Sequence, residues 1–137
     1  MPKIGNIILP DFPLLLAPME DVSDPPFRSV CKDNGADLMY SEFISSEGLI
    51  RDAIKSKQKL DFSEEERPFG IQIFGGDEEA MSMSAIICET VNPDLVDINF
   101  GCPVKKVVSK GAGAGVLKDI DLMVRLTEAV VKSTNLP

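Results

Sequence analysis

Histidine is absent from the 137 residues. That removes Ser-His and Cys-His nucleophilic pairs and the commonest metal ligand, so acid–base chemistry has to come from Cys, Lys, Tyr or a carboxylate. Cysteine is scarce and odd in number: Cys31, Cys88 and Cys102, with no CxxC spacing. Neither a disulfide framework nor a zinc site follows from that. No apolar run approaches the roughly 18 residues of a membrane span, and the N-terminus lacks a basic stretch leading into an apolar one. The expectation is a cytoplasmic protein with no membrane partner. Basic residues are in deficit too, 14 Lys and Arg against 22 Asp and Glu, for a net charge of −8. This balance argues against a broad polyanion-binding surface, because phosphate contacts need clustered cations. A local patch remains open, and the densest is Lys105-Lys106 with Lys110.

What is present describes one ordinary globular domain, with 44% hydrophobic and 26% charged residues. Pro2, Pro10 and Pro13 surround Ile7-Ile8-Leu9, and Gly5-Asn6 is a turn signal, so a small hairpin or cap is expected first. Leu14–Met19 is an apolar run without alternation, the pattern of a parallel strand covered on both faces. Asp24 followed by Pro25-Pro26 starts a helix, with Phe27, Val30 and Cys31 as its apolar stripe and Gly35 as its stop. Leu38–Ile44 reads as a second strand, and a helix around Leu49–Lys57 follows before an acidic loop, Asp61 to Glu66. Phe69–Phe74 is the third strand, with Gln72 as its one polar residue; a buried amide needs a partner, either neighbouring backbone or a ligand. Asp77-Glu78-Glu79 opens a helix whose stripe is Ala80, Met83 and Ile87, with Cys88 as core. Leu95–Phe100 is the fourth strand. A last helix, about Asp119 to Lys132, has Leu122, Met123, Leu126 and Val130 on one face.

Four strand–helix units in strict alternation imply an α/β fold with a parallel sheet and right-handed crossovers. Four units are half of a (β/α)8 barrel, which typically needs about 250 residues. Leu136-Pro137 looks like the lead-in to a fifth strand, so the chain reads as a fragment.

Chemistry concentrates after the fourth strand, in Asp97-Ile98-Asn99-Phe100-Gly101-Cys102-Pro103. Pro103 fixes its own φ and pushes Cys102 towards an extended conformation, which places the thiol on a stiff exit from the strand. The C-terminal ends of parallel strands are where α/β enzymes keep their chemistry. Asn99 alternates to the same side as Asp97 and carries both a donor and an acceptor. Taken alone, Cys102 reads first as a small buried apolar residue, and a lysine run as a solvated loop; the surrounding pattern reverses that order for the cysteine.

The ordered motifs resemble those of the tRNA-dihydrouridine synthases, closest to the bacterial B-type subgroup. The matching residues are Ala17-Pro18-Met19 with Ser23-Asp24 and Phe27-Arg28, then Ser41-Glu42, Ile71–Gly75, Asp97–Pro103, Lys105-Lys106-Val107 and Gly111–Ala114. The resemblance implies that residues 1–137 are the N-terminal half of an FMN-binding TIM-barrel catalytic domain, with the second half-barrel and a helical domain lying elsewhere. It implies reduction of the 5,6 double bond of tRNA uridines with electrons from NADPH. Hydride would pass from FMN to C6 of the uracil, and Cys102 would act as general acid at C5. Pro18, Met19 and Glu20 would border the flavin through backbone contacts, and Gln72 would bond its polar edge. Asn99 would bond the uracil edge. Lys105, Lys106 and Lys110 are assigned to the tRNA backbone from their position beside Cys102. The family's flavin-contacting lysine, its histidine and its phosphate-holding glycine loops have no counterpart here. The 137-residue chain alone is therefore expected to hold FMN poorly, to be inactive, or to pair with another copy that covers its open edges. Two other readings are a small-molecule FMN barrel enzyme of the dihydroorotate-dehydrogenase type and a non-catalytic flavodoxin-like module.

Overall fold

The computed structural model describes all residues from 1 to 137. Its elements run in the expected order. A hairpin of β1 (Lys3–Ile4) and β2 (Ile7–Ile8) turns at Gly5, whose φ of 55° lies in the left-handed region. Then come α1 (Pro25–Asp33), β3 (Met39–Tyr40), β4 (Ile44–Ser45), α2 (Ser46–Ile50) and α3 (Ile54–Gln58). After a 3-10 turn at Glu64–Glu66 follow β5 (Phe69–Phe74), α4 (Glu78–Glu89) and β6 (Leu95–Ile98). α5 (Lys105–Val108), a 3-10 segment at Gly113–Lys118 and α6 (Ile120–Ser133) close the chain.

The sheet is parallel and organised around β5. β3 and β4 pair with the start and end of one edge of β5, and β6 pairs with its other edge, Gln72 lying opposite Asp97. Phe69, Ile71 and Ile73 are fully buried on the helix side, against Met81, Ala85 and Cys88 of α4 and Leu126 and Val130 of α6. Burying each large aliphatic or aromatic side chain of this layer contributes roughly 1.5–3 kcal/mol. On the other face, Leu95 meets Leu9 and Leu38, with Ile4, Ile7 and Tyr40 packed around them, so the hairpin plugs the N-terminal end of the strands. The backbone of Val96 donates to the carbonyl of Pro137 (3.0 Å), which brings the chain's last residue alongside β6.

Several local expectations are corrected. The run Leu14–Met19 forms no strand: one parallel bridge, Leu15 to Leu38, ties it to the sheet, and Leu14 and Leu15 are exposed. Its pairing is confined to Leu38, and with Leu14 and Leu15 exposed it is not covered on both faces. The strand read as Leu38–Ile44 breaks into β3 and β4. The helix read as Leu49–Lys57 breaks into α2 and α3 at Asp52, whose φ is 58°. β6 stops at Ile98 rather than Phe100, because the side chain of Asn99 takes over the following backbone N–H groups.

In α1, Asp24 caps Phe27 N–H (3.0 Å) as expected. However, Val30 is outward and Phe27 only partly covered, while Arg28 is the buried residue. Cys31 is half-buried against the core. In α4, Met83 is exposed, and the inward rows run through Ala80-Met81 and Ser84-Ala85 because α2 and α6 flank it as well as the sheet.

Cys88 is core, as its spacing suggests, and burial pushes its thiol up to about 12. At neutral pH it should resist iodoacetamide in the native state and react fully in denaturant. Peptide mapping checks this, and native-state alkylation at Cys88 would mean that α4 opens away from the sheet.

Candidate active site at the strand C-terminal ends

The loops that leave the C-terminal ends of β4, β5 and β6 converge. Ser46 follows β4, Gly75-Gly76 follow β5, and the Asn99–Pro103 turn with α5 follows β6. They fit closely because of the glycines. A Cβ on Gly76 would stand 2.6 Å from the carbonyl oxygen of Gly111, and one on Gly75 would collide with Ser46 Oγ. Between them lies a cleft of about 600 Å³ lined by Ser46, Arg51, Gly75, Asp77, Lys106 and Lys110, among others. Its size is that of a small-ligand site. Lys105 is exposed and lies outside this lining.

Cys102 is held by its backbone on both sides. Its N–H donates to Asn99 Oδ1 (2.9 Å), as does the N–H of Gly101 (3.0 Å). Its carbonyl accepts from Ala114 N–H (3.0 Å), where Gly113 lets the 3-10 segment approach, with φ of 55°. The residue is 6% exposed, so the thiol is covered rather than presented on the surface.

Gln72 has partners at both ends of its amide. Nε2 donates to Asp97 Oδ2 (2.6 Å), and Oε1 accepts from Asn99 Nδ2 (2.9 Å). The open choice between backbone and ligand thus resolves to neighbouring side chains, leaving one N–H and one lone pair on the amide. Its backbone N–H donates to Ser41 Oγ (3.0 Å), and Ser41 is fully buried. Burial raises the Asp97 carboxyl from its ordinary value, partly offset by the hydrogen bond from Gln72. Tyr40 is raised by burial and then by the neighbouring Asp97 charge.

The Pro18–Glu20 segment is shaped by Ser23. Met19 N–H donates to Ser23 Oγ (2.8 Å), and Met19 carbonyl accepts from Val22 and Ser23. Met19 therefore offers a partly exposed side chain rather than free backbone groups; Pro18 keeps its carbonyl and Glu20 its N–H. Glu20 is ion-paired to Lys59 (2.5 Å).

Residues 15–137 match the family model described as Dihydrouridine synthase (Dus). The chain belongs to the dihydrouridine synthase family. It is 37% identical over 135 residues to the tRNA-dihydrouridine synthase B of Pseudomonas aeruginosa, covering 98% of this chain and 40% of that protein. It is 37% identical to a probable tRNA-dihydrouridine synthase of Rickettsia prowazekii, covering all of this chain and 42% of the relative. The corresponding Aquifex aeolicus protein is 40% identical over 121 residues, 88% of this chain and 38% of the relative. The dihydrouridine synthase chain described here thus spans about two-fifths of the length of these relatives.

Within the dihydrouridine synthase motifs, Cys102, Asn99 and Gln72 come together around one hydrogen-bonded array, while Lys106 and Lys110 line the cleft, to whose lining those three residues do not belong. Asp97, Ser41 and Ser23 are the polar residues to which sequence reasoning gave no role. Only Asp97 left a usable signal, its same-side alternation with Asn99.

Proposed function

We propose that residues 1–137 supply the N-terminal half of a catalytic (β/α)8 barrel that reduces uridine in tRNA to 5,6-dihydrouridine with FMN and NADPH. The observation that supports this most directly is Cys102, clamped through its backbone at a strand end, its N–H bonded to the side chain of Asn99, which in turn bonds Gln72. The residues fit a flavin ring edge: the free N–H and lone pair of Gln72, the Pro18 carbonyl and the Glu20 N–H complement a heterocycle that carries both carbonyls and an imide N–H. When bound, FMN supplies hydride chemistry to the uracil ring. Cys102, nearly covered and held on a rigid turn, supplies the proton at C5. With no histidine in this chain, a thiol on a rigid turn is its natural proton source. Asn99 bonds the uracil edge. Lys106 and Lys110 hold RNA phosphate at the cleft, and exposed Lys105 adds longer-range attraction. No helix is long and apolar enough to cross a membrane.

The full-length protein that carries this chain should show a flavin absorption band. It should convert uridine in an unmodified tRNA transcript to dihydrouridine with NADPH, read as a gain of two hydrogens by mass spectrometry. A flavoprotein that instead reduced free pyrimidines and left tRNA untouched would sink this proposal.

A further inference from the structure

Asp97, Gln72 and Asn99 form a chain of hydrogen bonds whose direction is dictated at both ends. At one end Gln72 Nε2 donates to Asp97 Oδ2 (2.6 Å). At the other end the backbone N–H groups of Gly101 and Cys102 can only donate, so Asn99 must turn Oδ1 towards them (3.0 and 2.9 Å). The remaining contact, Asn99 Nδ2 to Gln72 Oε1 (2.9 Å), then has one possible sense. Amide orientation is ordinarily a matter of inference from partners, and here the partners at both ends agree. Both lone pairs of Asn99 Oδ1 are occupied by these two donors. One N–H of Nδ2 is occupied by Gln72. A single N–H is left over.

We infer that this relay makes Asn99 a donor-only group, so that its position takes a carbonyl oxygen of the substrate base and rejects an amino group there. The inference rests on the uridine-reducing reading and narrows it. An asparagine with both amide atoms free grips a ring carbonyl and the adjacent imide N–H together; Asn99 cannot, and it makes one directional contact instead. Uracil offers carbonyl oxygens at two ring positions, and cytosine replaces one of them with an amine. Asp97 and Gln72 are positioning residues in this scheme. They act on the base only by fixing which atom of Asn99 faces it.

The test is a polarity swap in the full-length protein, read at neutral pH. Asn99→Asp puts an acceptor opposite Gln72 Oε1. Turning Gln72 round only moves the clash to Asp97, so one acceptor–acceptor contact persists either way, and Tm should fall by about 5 °C. Adding Asp97→Asn reverses the whole relay. The carboxylate now at position 99 accepts from the two backbone N–H groups and from Gln72 Nε2, and Gln72 Oε1 accepts from the amide now at position 97. Composition and net charge are those of the wild type, and Tm should recover most of the loss. The donor facing the base is nevertheless gone, so kcat/KM for tRNA uridine should stay at least about 100-fold down. Failure of the swap to restore Tm overturns the relay itself. Recovery of both Tm and uridine reduction overturns the donor-only assignment. A wild-type protein that never forms dihydrouridine removes the functional reading while leaving the Tm cycle to stand or fall on its own.

Discussion

Replacing Arg28 by methionine should cost about 3–5 kcal/mol of folding stability. Arg28 is 2% exposed, and its Nε donates to Glu66 Oε1 at 2.5 Å. Its two other nitrogens donate to the carbonyls of Ser23 (2.8 Å) and Asp61 (2.9 Å), and the guanidinium lies 4.8 Å from the centre of the Phe69 ring. Methionine replaces the stem but abandons Glu66, whose other oxygen is bonded only by Ser63 N–H (2.6 Å). A buried carboxylate without its cation is the expensive outcome. Since domains of this size are stable by only about 5–15 kcal/mol, a fifth or more of the total would go. The paired change Arg28→Met with Glu66→Gln removes the orphaned charge, and most of the loss should return. Urea unfolding of the single and double variants measures both effects. A single-variant loss under about 1 kcal/mol would show that water reaches the pair. The consequence extends to the site: Arg28 holds the Ser23 carbonyl, and Ser23 Oγ accepts from Met19 N–H, so loosening Arg28 loosens the Pro18–Glu20 segment.

That pair also marks where reading the sequence stops. Asp24, Asp77 and Asp119 each cap the third residue that follows, at 2.8–3.0 Å, and these helix starts were legible because donor and acceptor lie three residues apart. The apolar run of β5 was legible because one strand buried on both faces needs no knowledge of its neighbours. Arg28 and Glu66 are 38 residues apart, and nothing local distinguishes a buried arginine in α1 from a solvated one. Phe27 and Val30 had the apolar spacing, yet the side that packs is the one carrying Arg28, because the ion pair and the Phe69 ring lie there. The same limit explains Leu14–Met19. Its composition is that of a doubly covered strand, but its pairing with the sheet is confined to the bridge at Leu38, and Leu14 and Leu15 lie exposed. At the site, Asn99 and Cys102 were legible as a motif. The role of Asp97 was not, since it needs the parallel register that sets Gln72 opposite it.

Cys102→Ala in the full-length protein should lower the rate of uridine reduction by about 10²–10⁴-fold, the range in which a positioned general acid acts. The substitution removes one sulfur from a covered site and leaves every backbone contact in place: Asn99 Oδ1 still accepts two N–H groups, and Ala114 still donates to the carbonyl of residue 102. Stability should therefore fall by no more than about 1 kcal/mol, so the rate effect is separable from misfolding. Three readouts divide the possibilities. Binding of tRNA should be unchanged, because the cations of the cleft are untouched. Reduction of the bound flavin by NADPH should proceed at the wild-type rate, because that half of the cycle needs no proton at C5. Only the half-reaction that consumes tRNA uridine should slow. If both half-reactions slow together, Cys102 serves the cofactor pocket and not proton delivery; if neither slows, the thiol is packing alone. Cys102→Ser sharpens the comparison. A hydroxyl occupies nearly the same volume but gives up its proton far less readily than a thiol, so it should resemble alanine in rate and the wild type in fold.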